Sequence, residues 1–120
     1  MARAAVRPEE ERPPHDALEG TPLPRANALL FGHRGAERAF LDAYRSGRMH
    51  HGWIISGERG IGRATLAFRL ARFMLAHPDP KSADVAAAKD LSVAPGHPAA
   101  ARVAAGTHPN ILHLQREWID

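Results

Sequence analysis

Residues 52–74 read "GWIISGERGIGRATLAFRLARFM". Trp53, Ile54 and Ile55 are apolar in succession, the pattern of a strand covered on both faces, so a strand is expected over residues 53–56. Gly57, Gly60 and Gly62 then punctuate a short turn. Leu66, Leu70, Phe73 and Met74 follow on one stripe, with Ala67 and Ala71 beside it. That spacing predicts a helix over residues 65–77, ended by Pro78 and Pro80. A strand, a glycine turn and a helix in that order are the layout of a phosphate-binding loop.

The full pattern of such a loop is G-x-x-x-x-G-K-[ST]. Gly57 and Gly62 have the required spacing, and Gly60 adds a third flexible position. Glycines let backbone amides close on an anion, and the helix that follows aims its free N–H groups at the same place. The chemical positions differ. Arg63 stands where lysine is usual; it keeps the charge, but its planar head is not interchangeable with an ammonium. Ala64 stands where a hydroxyl normally holds Mg²⁺. Thr65 has a hydroxyl one residue later, turned by roughly 100° around the helix. The candidate binding residues are therefore Gly57, Gly60, Gly62, Arg63 and Thr65, with nucleotide binding weak or absent. The alternative is a tight strand-to-helix turn that binds nothing.

Outward from the loop, "GAERAFLDAYRS" at residues 35–46 predicts a helix with Phe40, Ala43 and Tyr44 on one face and Ala36 one turn earlier. Glu37 suits its first turn and Gly47 its end. Residues 79–106 are alanine-rich and predict two short helices, 83–89 and 98–105. Pro98 opens the second and Gly106 closes it. Residues 111–114 predict a second strand. Residues 1–26 hold a proline- and glutamate-rich stretch with few large apolar side chains, expected to be a mobile tail. The expected fold is α/β: a parallel sheet flanked by helices over residues 27–120, interrupted by the helical insert 79–106. A parallel sheet of two strands lacks cover, so this stretch reads as an incomplete piece of a larger domain that stops after its second strand.

The 120 residues are 44% hydrophobic and 24% charged, as in ordinary globular proteins. There is no cysteine, which excludes disulfides and cysteine zinc sites and fits a reducing, cytoplasmic setting. No run of about 18 apolar residues appears, so no membrane span is expected. The first twenty residues lack an apolar signal core. Net charge is +3, from 16 basic and 13 acidic residues, and Lys81 and Lys89 are the only lysines. Arg45, Arg48, Arg59, Arg63, Arg69 and Arg72 define a possible basic face near the loop, or a solvated helix flank. His50 and His51 are adjacent but lack the i, i+4 spacing of a helical metal pair, so no metal site is assigned. Ser46 and Ser56 have no identifiable base, so no catalytic residue is assigned.

The ordered segments "LLFGHRGAERAFLDAYRSGRMHHGWIISGERGIGRATLAFRLARFML" and "AAGTHPNILHL" resemble clamp-loader subunits of bacterial DNA polymerase III, above all the delta-prime family. The resemblance covers about residues 28–115. It implies an ATPase-type α/β fold (P-loop NTPase, AAA+ or RecA-like) and a stator role with a decayed nucleotide loop. It implies no ATPase activity of the chain's own within a nucleotidyltransferase holoenzyme. Its implied partners are motor ATPase subunits, a clamp-opening subunit, the sliding clamp and primed DNA. Many members carry a four-cysteine zinc module between loop helix and "GTHP"; residues 79–105 have no cysteine, so no zinc is carried over and no cofactor is assigned. The acidic metal-holding strand, arginine finger and collar of the family would lie beyond residue 120. Two other readings are an active ATPase of the same family and a stand-alone nucleic-acid binder using the arginines.

Overall fold

The computed structural model describes residue 17 and residues 19–115 of the 120. Among them are four α-helices: α1 Arg34–Ser46, α2 Arg63–Ala76, α3 Ala83–Ala87 and α4 Pro98–Ala105, preceded by a 3-10 turn, Pro24–Ala26. Most of the expected tail, residues 1–16 and 18, lies outside the described residues; the 3-10 turn falls at its end.

Each helix has a local cause. In α1, Glu37, Phe40, Leu41 and Tyr44 are buried, a spacing of three and four that lines one face. Leu41 takes the central buried place, while Ala43 is half-buried and Ala36 exposed. Gly47 ends the helix in the left-handed region at φ 71°, its N–H donating to Tyr44 O at 3.2 Å. In α2, Leu66, Leu70 and Phe73 are buried, and the helix stops one residue before the His77-Pro78 pair. Helix α3 is capped by Ser82, whose hydroxyl accepts from Val85 N at 3.3 Å. It ends two residues earlier than the composition suggests, because Ala88 turns extended. Helix α4 begins at Pro98 and closes at Gly106, φ 71°; the Gly106 N–H donates to Val103 O and the Thr107 N–H to Arg102 O.

The expected parallel sheet is absent: no strand occurs among the described residues. Residues 53–56 and 111–114 run without regular structure, and among the described residues neither exchanges backbone hydrogen bonds with another segment. The physical reason is that a strand exists only as one side of a ladder, however suitable its side chains. Apolar succession at residues 53–55 predicted cover on both sides; the structure covers one. Ile55 packs on the core and Trp53 lies edge-on to Phe40 with ring centroids 4.5 Å apart, but Ile54 is 95% exposed. In the second run Ile111 is half-buried, while Leu112 and Leu114 are exposed. The α/β class is therefore corrected: the described architecture is helical, with two extended apolar segments laid against it.

The core sits between α1 and α2. Phe40, Leu41 and Tyr44 meet Leu66, Leu70 and Phe73, and the group is closed by Val85 of α3 and by Leu91. Side chains this buried each contribute roughly 1.5–3 kcal/mol. On another side of α2, Ala99, Ala100 and Val103 of α4 are buried where α4, α2 and the 3-10 turn converge. The alanine-rich stretch thus supplies core residues to the loop helix. Among the described residues no helix is long and apolar enough to cross a membrane.

Candidate phosphate loop

The N-terminus of α2 is built from the glycines. Gly60 and Gly62 hold φ of 89° and 95°, which a residue with a Cβ adopts only with strain. Gly62 is the residue before α2, and its carbonyl accepts from Leu66 N at 2.9 Å. No side chain caps the helix. The amides of Arg63, Ala64 and Thr65 therefore lack intrahelical acceptors, as the first turn of any helix dictates. Gly57 lies beneath the Ile61 side chain, where a Cβ would overlap it, and 3.8 Å separates that Cβ position from Arg63 Cδ. The five expected site residues thus share one turn, although they do not all face it. Arg63 is exposed, Ala64 half-buried and Thr65 only 8% exposed.

Chemically, this turn offers unpaired amides, a helix dipole and one exposed guanidinium, a combination that suits an anion. It offers a magnesium ion little: Ala64 has no side-chain oxygen and the Thr65 hydroxyl belongs to a buried side chain.

The arginines divide into two groups. Arg69 of α2 donates from Nε to Glu37 Oε1 at 2.6 Å and from Nη1 to Ala28 O at 3.0 Å. Glu37 Oε1 also accepts from Leu91 N at 2.9 Å, so one carboxylate joins α1, α2 and the segment after α3. Arg72 donates to Arg25 O at 2.9 Å; burial, and then the neighbouring Arg69 charge, lower its pKa. Arg45 donates to Val85 O at 3.0 Å and also to Ala88 O, closing the C-terminal end of α3. Arginine suits these places because its fork serves several carbonyls while the charge stays weakly hydrated. Arg45, Arg69 and Arg72 are thus withdrawn from the expected basic face. Arg48, Arg59 and Arg63 are exposed.

Three long-range contacts are not foretold by the sequence pattern. His33, just before α1, bonds through Nε2 to Ile61 O at 2.5 Å, tying one helix start to the loop. Tyr44 donates its hydroxyl to His77 O at 2.5 Å; burial, and then Asp79, raise its pKa. Glu37 was legible in principle: it shares the 37-40-41-44 spacing of a buried stripe, and a carboxylate there demands a partner. His50 lies edge-on to Trp53 at 5.8 Å. Among the described residues no three histidine or acidic side chains gather closely enough for a metal ion. An open cleft of about 400 Å³, lined by Phe73, His77, Asp84, Lys89, Asp90 and Ser92, lies at the other end of α2, away from the loop.

Part of the chain is similar to known proteins. It is 31% identical over 49 residues to the DNA polymerase III subunit gamma of Buchnera aphidicola subsp. Schizaphis graminum (strain Sg), 41% of this chain and 14% of that protein. It is 40% identical over 43 residues to the same subunit of Buchnera aphidicola subsp. Acyrthosiphon pisum (strain APS), 36% of this chain and 12% of that one. The chain is thus matched to about an eighth of those relatives' length. These matches make part of the chain similar to a short stretch of DNA polymerase III gamma subunits. Both relatives are gamma rather than delta-prime. No family model matches the chain, and no solved structure matches it.

Proposed function

We propose that this chain belongs to a clamp-loader subunit of a bacterial DNA polymerase III, of the delta-prime kind. It acts as a cytoplasmic stator that helps place a sliding clamp on primed DNA without hydrolysing ATP itself. The observation that carries this reading is the loop. Gly57, Gly60 and Gly62 keep the flexibility an anion nest needs, while Ala64 and buried Thr65 withhold the loop hydroxyl that normally holds Mg²⁺. Magnesium supplies much of the charge neutralisation in phosphoryl transfer. Arg63 retains weak phosphate attraction at the mouth. The partners on this reading are motor ATPase subunits, a clamp-opening subunit, the clamp and primed DNA; their co-purification with the full-length protein is the expected outcome.

The competing reading is an ATP-hydrolysing subunit of the same family, favoured by the similarity to gamma subunits. Isothermal titration of the full-length protein with ATP and Mg²⁺ separates the two. The stator reading expects no Mg²⁺-dependent binding in the micromolar range. Tight, Mg²⁺-dependent binding together with turnover abolished by Arg63→Ala would replace it with the ATPase reading.

A further inference from the structure

A loop with three glycines in six positions has many conformations open to it, and ordering it costs more entropy than ordering a loop without glycine. The 57–62 loop is nevertheless held, and from outside. His33 Nε2 lies 2.5 Å from Ile61 O, a contact spanning 28 residues of sequence. A carbonyl only accepts, so Nε2 carries the proton in this contact. Beside it, Leu30 Cδ1 approaches to 3.5 Å the position that a Cβ on Gly62 would occupy. The Ile61 side chain folds over Gly57.

His33 is itself fixed. Its carbonyl accepts from Glu37 N at 3.0 Å in the first turn of α1, and the Glu37 carboxylate is bonded to Arg69 of α2. The bonds therefore close a ring. It runs from Arg69 in α2 to Glu37, back along α1 to His33, across to Ile61, and through Gly62 into the start of α2. A rigid helix lies on each side, and the loop is the one segment of the ring without regular structure.

We infer that His33 is a positioning residue that presets the 57–62 loop, so that the loop keeps its shape with no ligand inside it. This holds whether or not the loop binds nucleotide. A preset loop also fits a stator, in which the nest is a fixed part of the scaffold.

Trypsin reads this directly, because the Arg59–Gly60 bond lies inside the loop and the bond after the exposed Arg48 lies outside it as an internal reference. His33→Leu removes the donor, and His33→Gln replaces it with an amide N–H. The expected result is cleavage after Arg59 about fivefold faster in His33→Leu, relative to Arg48, the effect of losing one net hydrogen bond on local opening. His33→Gln returns the rate toward that of the unaltered chain. An unchanged rate in His33→Leu, or an equally fast one in His33→Gln, overturns the inference. If His33→Leu accelerates every site together, ring-nitrogen NMR of the unaltered chain decides instead. A slowly exchanging proton on Nε2 of His33 supports the brace; an Nε2 that carries no proton, or one whose proton exchanges fast, overturns it.

Discussion

Replacing Glu37 by alanine removes the acceptor on which α1, α2 and Leu91 converge. Its carboxylate receives Arg69 Nε at 2.6 Å and Leu91 N at 2.9 Å, and the two charged side chains are 10% and 12% exposed. After the change, Arg69 keeps only the Ala28 carbonyl at 3.0 Å, and the Leu91 amide loses its partner beside a fully buried side chain. A buried charge stripped of its partner costs about 3–5 kcal/mol. An orphaned buried amide costs about 1–3 kcal/mol more, and the two overlap because both groups relax toward water. A total near 4 kcal/mol is expected, which for a domain of this size lowers Tm by about 16–30 °C. Urea unfolding of the full chain, followed by far-ultraviolet dichroism, measures it, with exposed Arg38→Ala as a control expected within about 0.5 kcal/mol. The double-mutant cycle with Arg69→Met isolates the pair, and a coupling energy of at least about 1.5 kcal/mol is expected. A loss below about 1 kcal/mol in Glu37→Ala, or additivity in the cycle, would refute the claim that this carboxylate organises the core.

Three further outcomes follow from local geometry. Gly62→Ala forces a Cβ into φ 95° and is expected to destabilise by about 1–3 kcal/mol, whereas Gly96→Ala, with open space and ordinary φ, stays near neutral; thermal melts distinguish them. His97 caps α4 by accepting from Ala99 N at 3.1 Å through Nδ1, so His97→Ala is expected to cost about 1 kcal/mol and His97→Ser to recover most of it, read by urea midpoints. Asp90 accepts from the Ser92 hydroxyl and amide, which hold its carboxyl below the usual range. A depressed folded pKa stabilises above the unfolded value of about 3.9 and is lost as pH falls through the folded one. Urea midpoints between pH 6 and pH 3 should therefore fall less steeply in Ser92→Ala, and an unaltered slope would count against the contact.

Much of the helical framework was legible because its causes are local. The 66-70-73 spacing, Pro78, Pro98, Gly47 and Gly106 act within a few residues of themselves, and α1, α2 and α4 lie where those signals put them, to within two residues. The glycine turn was legible for the same reason: Gly60 and Gly62 take the positive φ that their lack of a Cβ permits. The sheet was not. Trp53, Ile54 and Ile55 have the side chains of a buried strand, but pairing depends on a second backbone at about 4.8 Å, and no spacing along the chain reports that. The arginines were misjudged similarly. Arg45, Arg69 and Arg72 read as charge on a surface, because sequence cannot show that carbonyls of residues 85, 28 and 25 arrive at their guanidinium groups.

The sequence by itself determined the anion-shaped turn, the missing hydroxyl at Ala64, the helix starts and stops, and the exclusion of cysteine chemistry. These follow from residue identity and near neighbours. Only the tertiary structure decided that Glu37 is the hub of three segments, that His33 reaches Ile61, that Thr65 is buried and that residues 53–56 stand without a ladder. Each of those depends on groups 28 or more residues apart, or on burial, and the free energy of such contacts exists only once the chain has closed on itself.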